Sequence, residues 1–348
     1  MWRLIKFIVP YAVRLDPHAL NKVTCLMMKN IKNHEDIHIE AAPLAGYTDR
    51  AFRRVLAECG AKIIYTEMIS ATALVYGNEK TFDMIKIDKQ EGVTNVVQLF
   101  GNKPEHFAKA IQSGVLDEFD EININMGCPA KKIVQGGEGS ALMLDMSLAK
   151  RIIEVCVGNT NIPITVKMRL GYHPVDRDVM EGDQAPVMEL AKICEEVGAK
   201  KIIVHGRVQA QGFNGVADWH AIARVVKLVS IPVIANGDIT NMEKAKECLS
   251  ITGAAGVMIG RAIIGAPWNI TLSETPPEDE VKRIIKLHLV EAQKHNVYMP
   301  ELRKQLLQYF NHIRNSKELK LRVVKVETYE ELFALLDLEH KVDLPSKV

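Results

Sequence analysis

No two of the six cysteines form a C-x-x-C pair: Cys25, Cys59, Cys128, Cys156, Cys194 and Cys248 are scattered along the chain. That scatter argues against a zinc site or a disulfide framework and for a reducing cytoplasm. An excess of charge is missing too, the formal balance being +1. Any claim of a nucleic-acid partner therefore has to rest on a local patch. A bilayer-spanning segment needs ~20 apolar residues. The apolar stretch from Met1 to Leu15 is broken by Arg3, Lys6, Pro10 and Arg14, and no small-residue cleavage site follows it, so a membrane role is not expected. Either Met27 or Met28 is the expected start, with the leader an artefact, or the leader is an amphipathic arm; the first is preferred. Repeats shorter than a βα unit and low-complexity tracts are also absent.

What is present is the composition of an ordinary globular enzyme, 348 residues with 47% hydrophobic and 25% charged side chains. From Ile39 onward, short β-prone runs alternate with helical patterns, the signature of a parallel sheet with covering helices. The candidate strands are Ile39–Leu44, Lys62–Tyr65, Val96–Leu99, Glu121–Asn125, Ile164–Arg169, Ile202–His205, Val233–Ala235 and Gly256–Ile259. Eight of them predict a closed (β/α)₈ TIM barrel, which takes ~250 residues. Apolar residues at helical spacing, such as Ala51-Phe52-Val55-Leu56 and Leu148-Ile152-Ile153-Val155, lie between strands, and Gly60 and Gly198 fall where helix C-caps belong. An open doubly wound sheet would need a G-x-G-x-x-G turn after the first strand; the sequence there is Pro43-Leu44-Ala45-Gly46-Tyr47-Thr48-Asp49.

The barrel is expected to end near Trp268, with Thr275-Pro276-Pro277-Glu278-Asp279 as a linker into a helix start. This divides the chain into an N-terminal extension (1–36), a barrel (37–275) and a C-terminal all-helical domain (276–348). Between Lys282 and Lys325 the last of these is markedly basic, carrying among others Arg303, Lys304, Arg314, Lys317, Lys320 and Arg322. A solvated helix face is the bland reading of such a run; a nucleic-acid-docking patch that includes Arg303 and Lys304 is the functional one.

Active sites of eight-fold barrels lie at the C-terminal ends of the strands. Polar residues expected there are Gln98, Asn125, Cys128, Lys167, Arg169, His205, Asn236-Gly237-Asp238 and Gly260-Arg261. Two glycine loops on adjacent strand ends favour phosphate, since Gly237 and Gly260 let backbone N–H groups approach an anion and Arg261 adds a bidentate charge. Taken singly, each glycine is only a tight turn. Lys167 and His205 are suited to stabilising negative charge on a reduced flavin, although alone each reads equally well as a structural ion pair or a satisfied core histidine. The stretch Ala130 to Ser140, with Lys131 and Lys132 and three glycines, reads as a mobile loop whose lysines meet phosphates.

Several of these segments occur together and in order: Ala42-Pro43-Leu44-Ala45-Gly46-Tyr47-Thr48-Asp49, Asn125-Met126-Gly127-Cys128-Pro129, Val166-Lys167-Met168-Arg169, His205-Gly206-Arg207 with Ala217-Asp218-Trp219, Ala235-Asn236-Gly237-Asp238 and Met258-Ile259-Gly260-Arg261. In this the chain resembles the tRNA-dihydrouridine synthases, with a pattern nearest the B-type subfamily, from about Ile39 into the C-terminal helices. The resemblance implies bound FMN, NADPH as reductant and a uracil base flipped out of tRNA into the barrel mouth. On the matching motifs it implies that Pro43, Leu44, Gln98, Lys167, His205, Asn236, Gly237, Asp238, Gly260 and Arg261 hold FMN, and that Asn125 and Arg169 face the uracil. Cys128 matches the family's proton donor, and a thiol of pKa ~8.5 is mostly protonated at neutral pH. A small buried hydrophobe is the alternative for that cysteine.

Two features depart from the pattern: Asn123 stands where an acidic residue is common, and the acidic loop from Gly171 to Pro186 is long. No metal is expected, and a monomer is. The rival readings are another FMN barrel acting on a free pyrimidine, related to dihydroorotate or dihydropyrimidine dehydrogenases, and a non-catalytic tRNA-binding protein. The basic helical tail argues against the first, and the union of Cys128, Lys167 and His205 in one mouth argues against the second.

Overall fold

The computed structural model describes residues 37–178 and 185–336. The leader and the middle of the acidic loop lie outside them. Eight parallel strands follow one another: β1 (Ile39–Ala41), β2 (Ile63–Ser70), β3 (Thr94–Phe100), β4 (Glu121–Met126), β5 (Ile164–Arg169), β6 (Lys201–His205), β7 (Val233–Asn236) and β8 (Gly256–Ile259). They are ordered β1-β8-β7-β6-β5-β4-β3-β2, the expected barrel. Among the described residues no ladder joins β1 to β2. Tyr65 bridges that seam, its hydroxyl donating to Glu40 Oε2 at 2.6 Å. The second strand runs well past the expected Tyr65, and its pairing with β3 shifts register between Tyr65 and Met68, an irregularity that period-two patterning does not reveal.

The covering helices are α1 (Arg50–Glu58), α2 (Pro104–Gln112), α3 (Met146–Gly158), α4 (Pro186–Glu196), α5 (Trp219–Leu228) and α6 (Met242–Thr252). Their apolar stripes are buried on the strands, as at Ala51, Phe52, Val55 and Leu56 of α1. Caps fix their starts: Asp49, Asp145, Asp218 and Asn241 each accept from a backbone N–H in the first turn. Gly60 and Gly198 both have positive φ just past a helix end.

After β8, two turns of 3₁₀ helix lead to α7 (Glu278–Lys294), α8 (Met299–Tyr309), α9 (Lys317–Val323) and α10 (Tyr329–Leu335). Glu278, Asp279 and Glu280 in the first turn of α7 suit the positive end of its dipole. One continuous apolar core runs from the barrel into these helices, joining Phe52 and Trp268 to Leu289, Leu306, Tyr309 and Phe310. His288 of α7 packs its ring 5.5 Å from Phe52, and His312 meets Trp268 edge-on at 5.0 Å.

Candidate active site

A cleft of about 1000 Å³ opens at the C-terminal ends of the strands. All thirteen residues expected at the mouth line it: Pro43, Leu44, Gln98, Asn125, Cys128, Lys167, Arg169, His205, Asn236, Gly237, Asp238, Gly260 and Arg261. The strand register explains the gathering, since Asn125 pairs with Lys167, Arg169 with His205, and His205 with Asn236 on successive strands.

Cys128 sits in the turn after β4. Asn125 Oδ1 holds that turn, accepting from the backbone N–H of Cys128 at 2.9 Å and of Gly127 at 3.1 Å. Ser140 closes it from the far side, its N–H and hydroxyl both donating to the Cys128 carbonyl, at 3.1 and 2.9 Å. Gly139, at φ +60°, makes that approach possible, because a Cβ there would lie 2.9 Å from the Cys128 carbonyl oxygen. Residues 130–140 are therefore not the loose loop expected. A short helix, Lys131–Gln135, and a 3₁₀ turn, Gly139–Leu144, order them against the cysteine. Burial pushes the Cys128 thiol up, and the Ala130 N–H, Arg169 and Lys167 only partly offset this.

The opposite wall is cationic. Lys167 Nζ donates to Asn236 Oδ1 at 2.9 Å, and Asn236 is itself fixed by donating to the Met258 carbonyl at 2.8 Å. Burial, then the neighbouring Arg169, pulls the Lys167 ammonium down to about 7. Burial likewise holds the His205 imidazole well below its ordinary range, reinforced by Lys167, Arg169, Arg207 and Arg261. Arg207 Nη1 lies 3.2 Å from His205 Nε2. A guanidinium can only donate, so Nε2 is the acceptor and the ring proton sits on Nδ1.

Arg207 was not singled out as a site residue on sequence, yet it organises the rim. It is buried, pairs with both oxygens of Asp238 at 2.8 Å, and donates to the Asn214 and Gly215 carbonyls. Asp238 also accepts from Ala217 N–H at 2.8 Å and faces Arg261 at 3.2 Å, so its carboxylate is taken up in joining the β6 and β7 loops. Arg169 is similarly occupied: its guanidinium donates to the carbonyls of Gly127, Val208 and Gly212 at 2.8, 3.0 and 2.8 Å. Phe213, an exposed ring between the Arg169 and Arg261 guanidiniums (5.6 and 5.2 Å), was also missed. Its only sequence signal was the glycine-flanked segment after the His205-Gly206-Arg207 motif.

A family model described as dihydrouridine synthase (Dus) matches residues 40–343. The chain belongs to that family. A probable tRNA-dihydrouridine synthase of Rickettsia conorii is 37% identical over 296 residues, covering 81% of this chain and 87% of that protein. A tRNA-dihydrouridine synthase B of Yersinia pestis is 38% identical over 271 residues, covering 75% and 81%, in keeping with the B-type pattern read from the motifs. Among solved structures, a 2-naphthoyl-CoA reductase in complex with 2-naphthoyl-CoA aligns with a TM-score of 0.51 at 11% identity, over 67% of this chain and 49% of that one. The chain spans about half the length of that reductase, and the likeness is one of fold.

In this dihydrouridine synthase family member the four other expected contact residues lie outside the cleft lining. Lys131 and Lys132 are exposed on the short helix beside Cys128. Lys304 of α8 places its ammonium 3.9 Å from the centre of the Tyr47 ring, which does line the cleft. Arg303 instead donates to the Val324 and Val326 carbonyls at 3.1 and 2.6 Å, tying α8 to the end of α9. The neighbouring Gln305 went unnoticed in the sequence, although its amide reaches Asp49 Oδ2 at 2.8 Å and the Gly46 carbonyl at 3.3 Å. The helical segment thereby grips the loop after β1 that forms one lip of the mouth.

Proposed function

We propose that the chain is an FMN-dependent tRNA-dihydrouridine synthase that reduces the C5–C6 bond of uridine in tRNA. The observation that carries the reading is a thiol kept protonated by burial, Cys128, facing the same cleft as a group of cations. Lys167, Arg169 and Arg261 line that cleft, Arg207 is buried beside it against His205, and the Asp238 carboxylate is paired with Arg207 and Arg261. Such an excess of positive charge suits a phosphorylated, reducible cofactor.

The residues present fit FMN. A Cβ at Gly260 would meet only Ala42, at 3.8 Å, leaving open space at that strand end. Among the described residues, the backbone N–H groups of Gly237, Asp238, Gly260 and Arg261 make no backbone hydrogen bond, which suits a phosphate. Gln98, Lys167, His205 and Asn236 would hold the ring system, with Pro43 and Leu44 as its apolar wall, and Gly237, Asp238, Gly260 and Arg261 would surround the phosphate. Bound there, FMN supplies the hydride that adds to C6 of uracil. Cys128 Sγ–H gives its proton to C5, and the thiolate left behind is reprotonated from water. Asn125 orients the base, and Arg169 acts through the two loops it joins. NADPH as electron source rests on the family resemblance.

Lys131, Lys132 and Lys304 flank the mouth and are proposed to meet tRNA phosphates, while Arg303 contributes by holding α9. No helix among the described residues is long and apolar enough to cross a membrane. A monomer without bound metal, working in the cytoplasm, completes the proposal. The test is reconstitution: protein loaded with FMN and given NADPH should form dihydrouridine in tRNA that lacks it. Reduction of free orotate or uracil with tRNA left untouched would favour the small-molecule rival, and tRNA binding without any NADPH oxidation the non-catalytic one. Changing Lys131, Lys132 and Lys304 together to Glu should raise KM for tRNA and flatten its salt dependence by roughly 0.7–0.9 in log–log slope for each phosphate no longer neutralised. An unchanged slope would remove these lysines from the interface.

A further inference from the structure

The inside of the barrel holds a file of hydrogen bonds that runs from its floor to Cys128. At the floor, Lys201 Nζ donates to Glu121 Oε2 at 2.9 Å and to Glu40 Oε1 at 2.8 Å. Thr165 Oγ1–H donates to Glu121 Oε1 at 2.6 Å. Asn123 Nδ2 donates to Thr165 Oγ1, Gln98 Nε2 to Asn123 Oδ1, and Asn125 Nδ2 to Gln98 Oε1, each at 2.8 Å. Asn125 Oδ1 then accepts the two N–H groups of the cysteine turn. All of these side chains but Lys201 are buried.

From the cysteine turn down to Glu121 every bond points the same way, and donor chemistry explains why. A carboxylate facing Lys201 offers only lone pairs, so the one proton of Thr165 goes to Glu121. Thr165 then has only a lone pair for Asn123, which must turn its NH₂ towards it and its carbonyl towards Gln98. That choice fixes the Gln98 amide, and Gln98 fixes Asn125. Reversed, the Asn125 amide would aim its own NH₂ at two N–H donors and release the turn. A carboxamide has no preferred direction of its own, so the three amides take theirs from the two ends of the file, the N–H donors of the cysteine turn and the Thr165–Glu121 pair on the floor. A carboxylate at 123 would accept from Gln98 regardless of Thr165.

We infer that Asn123 and Thr165 are positioning residues, through which Glu121 on the barrel floor anchors the lower end of the file and so holds the Gln98 and Asn125 amides, and the seat of the Cys128 thiol, in one arrangement. The role assigned to Cys128 above is presupposed. The signature is a specific rescue: Thr165→Val should damage the site, and Asn123→Asp should repair the damage by restoring a fixed acceptor.

In the FMN-loaded enzyme, Thr165→Val is expected to lower kcat ~10-fold or more with KM for tRNA nearly unchanged, because the loss falls on proton delivery rather than on docking. Thr165→Ser, which keeps the hydroxyl, should match wild type. Asn123→Asp/Thr165→Val, assayed at pH 8 to favour the ionised side chain, should return to within ~3-fold of wild type. The rate of Cys128 alkylation by iodoacetamide, followed by mass spectrometry, should follow the same order: altered in the valine variant, restored in the double. That second readout needs neither tRNA nor reductant, so it tests the file of bonds even if uridine proves not to be the substrate. Wild-type failure to reduce tRNA would sink the functional reading instead. Should the valine protein not fold, Thr165→Ala replaces it with the same expectations. Wild-type behaviour of the Thr165 variant in both readouts, or a folded double variant no better than its parent, overturns the inference.

Discussion

A thiol serves as a proton donor near neutrality only while it remains a thiol, and two opposing influences act on Cys128. Burial raises it, whereas Arg169, Lys167 and the Ala130 N–H stabilise the thiolate left after transfer. Cys128→Ala should therefore cost ~10²–10⁴ in the rate of dihydrouridine formation, while reduction of the bound flavin by NADPH keeps its wild-type rate. Stopped-flow absorbance and nucleoside mass spectrometry separate the two; full product formation by the variant would end the acid role. Lys167 gives a second prediction at the same scale. Burial holds it at about 7, and an anion placed beside it restores the charged form. Above pH 7, binding FMN thus takes up a proton, and affinity falls as pH rises, by at most ~10-fold per unit. Titration of FMN from pH 6 to 9 would show the slope, and Lys167→Met should abolish it; a pH-independent wild-type affinity would refute the linkage.

Strand order, and with it the ring of residues at the mouth, was legible because strands and helices alternate and the polar residues fall at strand ends. The partners of those residues were not. Arg169 looks like any cation at a mouth until its three carbonyl acceptors are known, and these come from segments up to 43 residues away. Asp238 has the same history: its place in the Asn236-Gly237-Asp238 motif implied cofactor contact, whereas Arg207, Ala217 and Arg261 already engage its carboxylate. The helix at Lys131–Gln135 was hidden by its glycine-rich surroundings, of which Gly139 serves the close approach of Ser140 to Cys128. Packing between elements makes a further prediction possible. Gly265 has φ +69°, and a Cβ there would lie 2.3 Å from Gln308 Cβ of α8. Gly265→Ala should push α8 away, cost about 1–3 kcal/mol, and raise KM for tRNA as Gln305 loses its grip on the loop after β1. A variant as stable as wild type would show that α8 can shift without consequence.

Over the whole molecule, a shared core makes the helical segment part of the barrel's stability. Removing everything after Thr275 would bare Phe52 and Trp268, so the truncated chain should aggregate rather than survive as a free barrel. Truncation therefore cannot decide whether the substrate is tRNA or a free pyrimidine. The same packing sets the response to acid. His205, His288, His295 and His312 are all held below the ordinary imidazole value of 6.5, burial being the first cause in each. Below pH 6.5 the unfolded chain binds protons that the folded one refuses, so stability falls as pH drops towards about 5. Glu67 and Glu138, raised by burial, oppose this over part of the range. Being fewer, they leave the sign unchanged. His288 isolates one contribution. Its ring lies between Phe52 and Tyr309, with Nδ1 3.1 Å from the Tyr309 hydroxyl. His288→Phe keeps the ring stacking but strands that hydroxyl, so the variant should be less stable than wild type at pH 8 by about 1–3 kcal/mol. Its acid slope should nevertheless be shallower, by up to ~1.4 kcal/mol per pH unit. Denaturant unfolding at pH 8, 6.5 and 5 measures both quantities, and a variant that kept the wild-type slope would place the acid sensitivity elsewhere in the core.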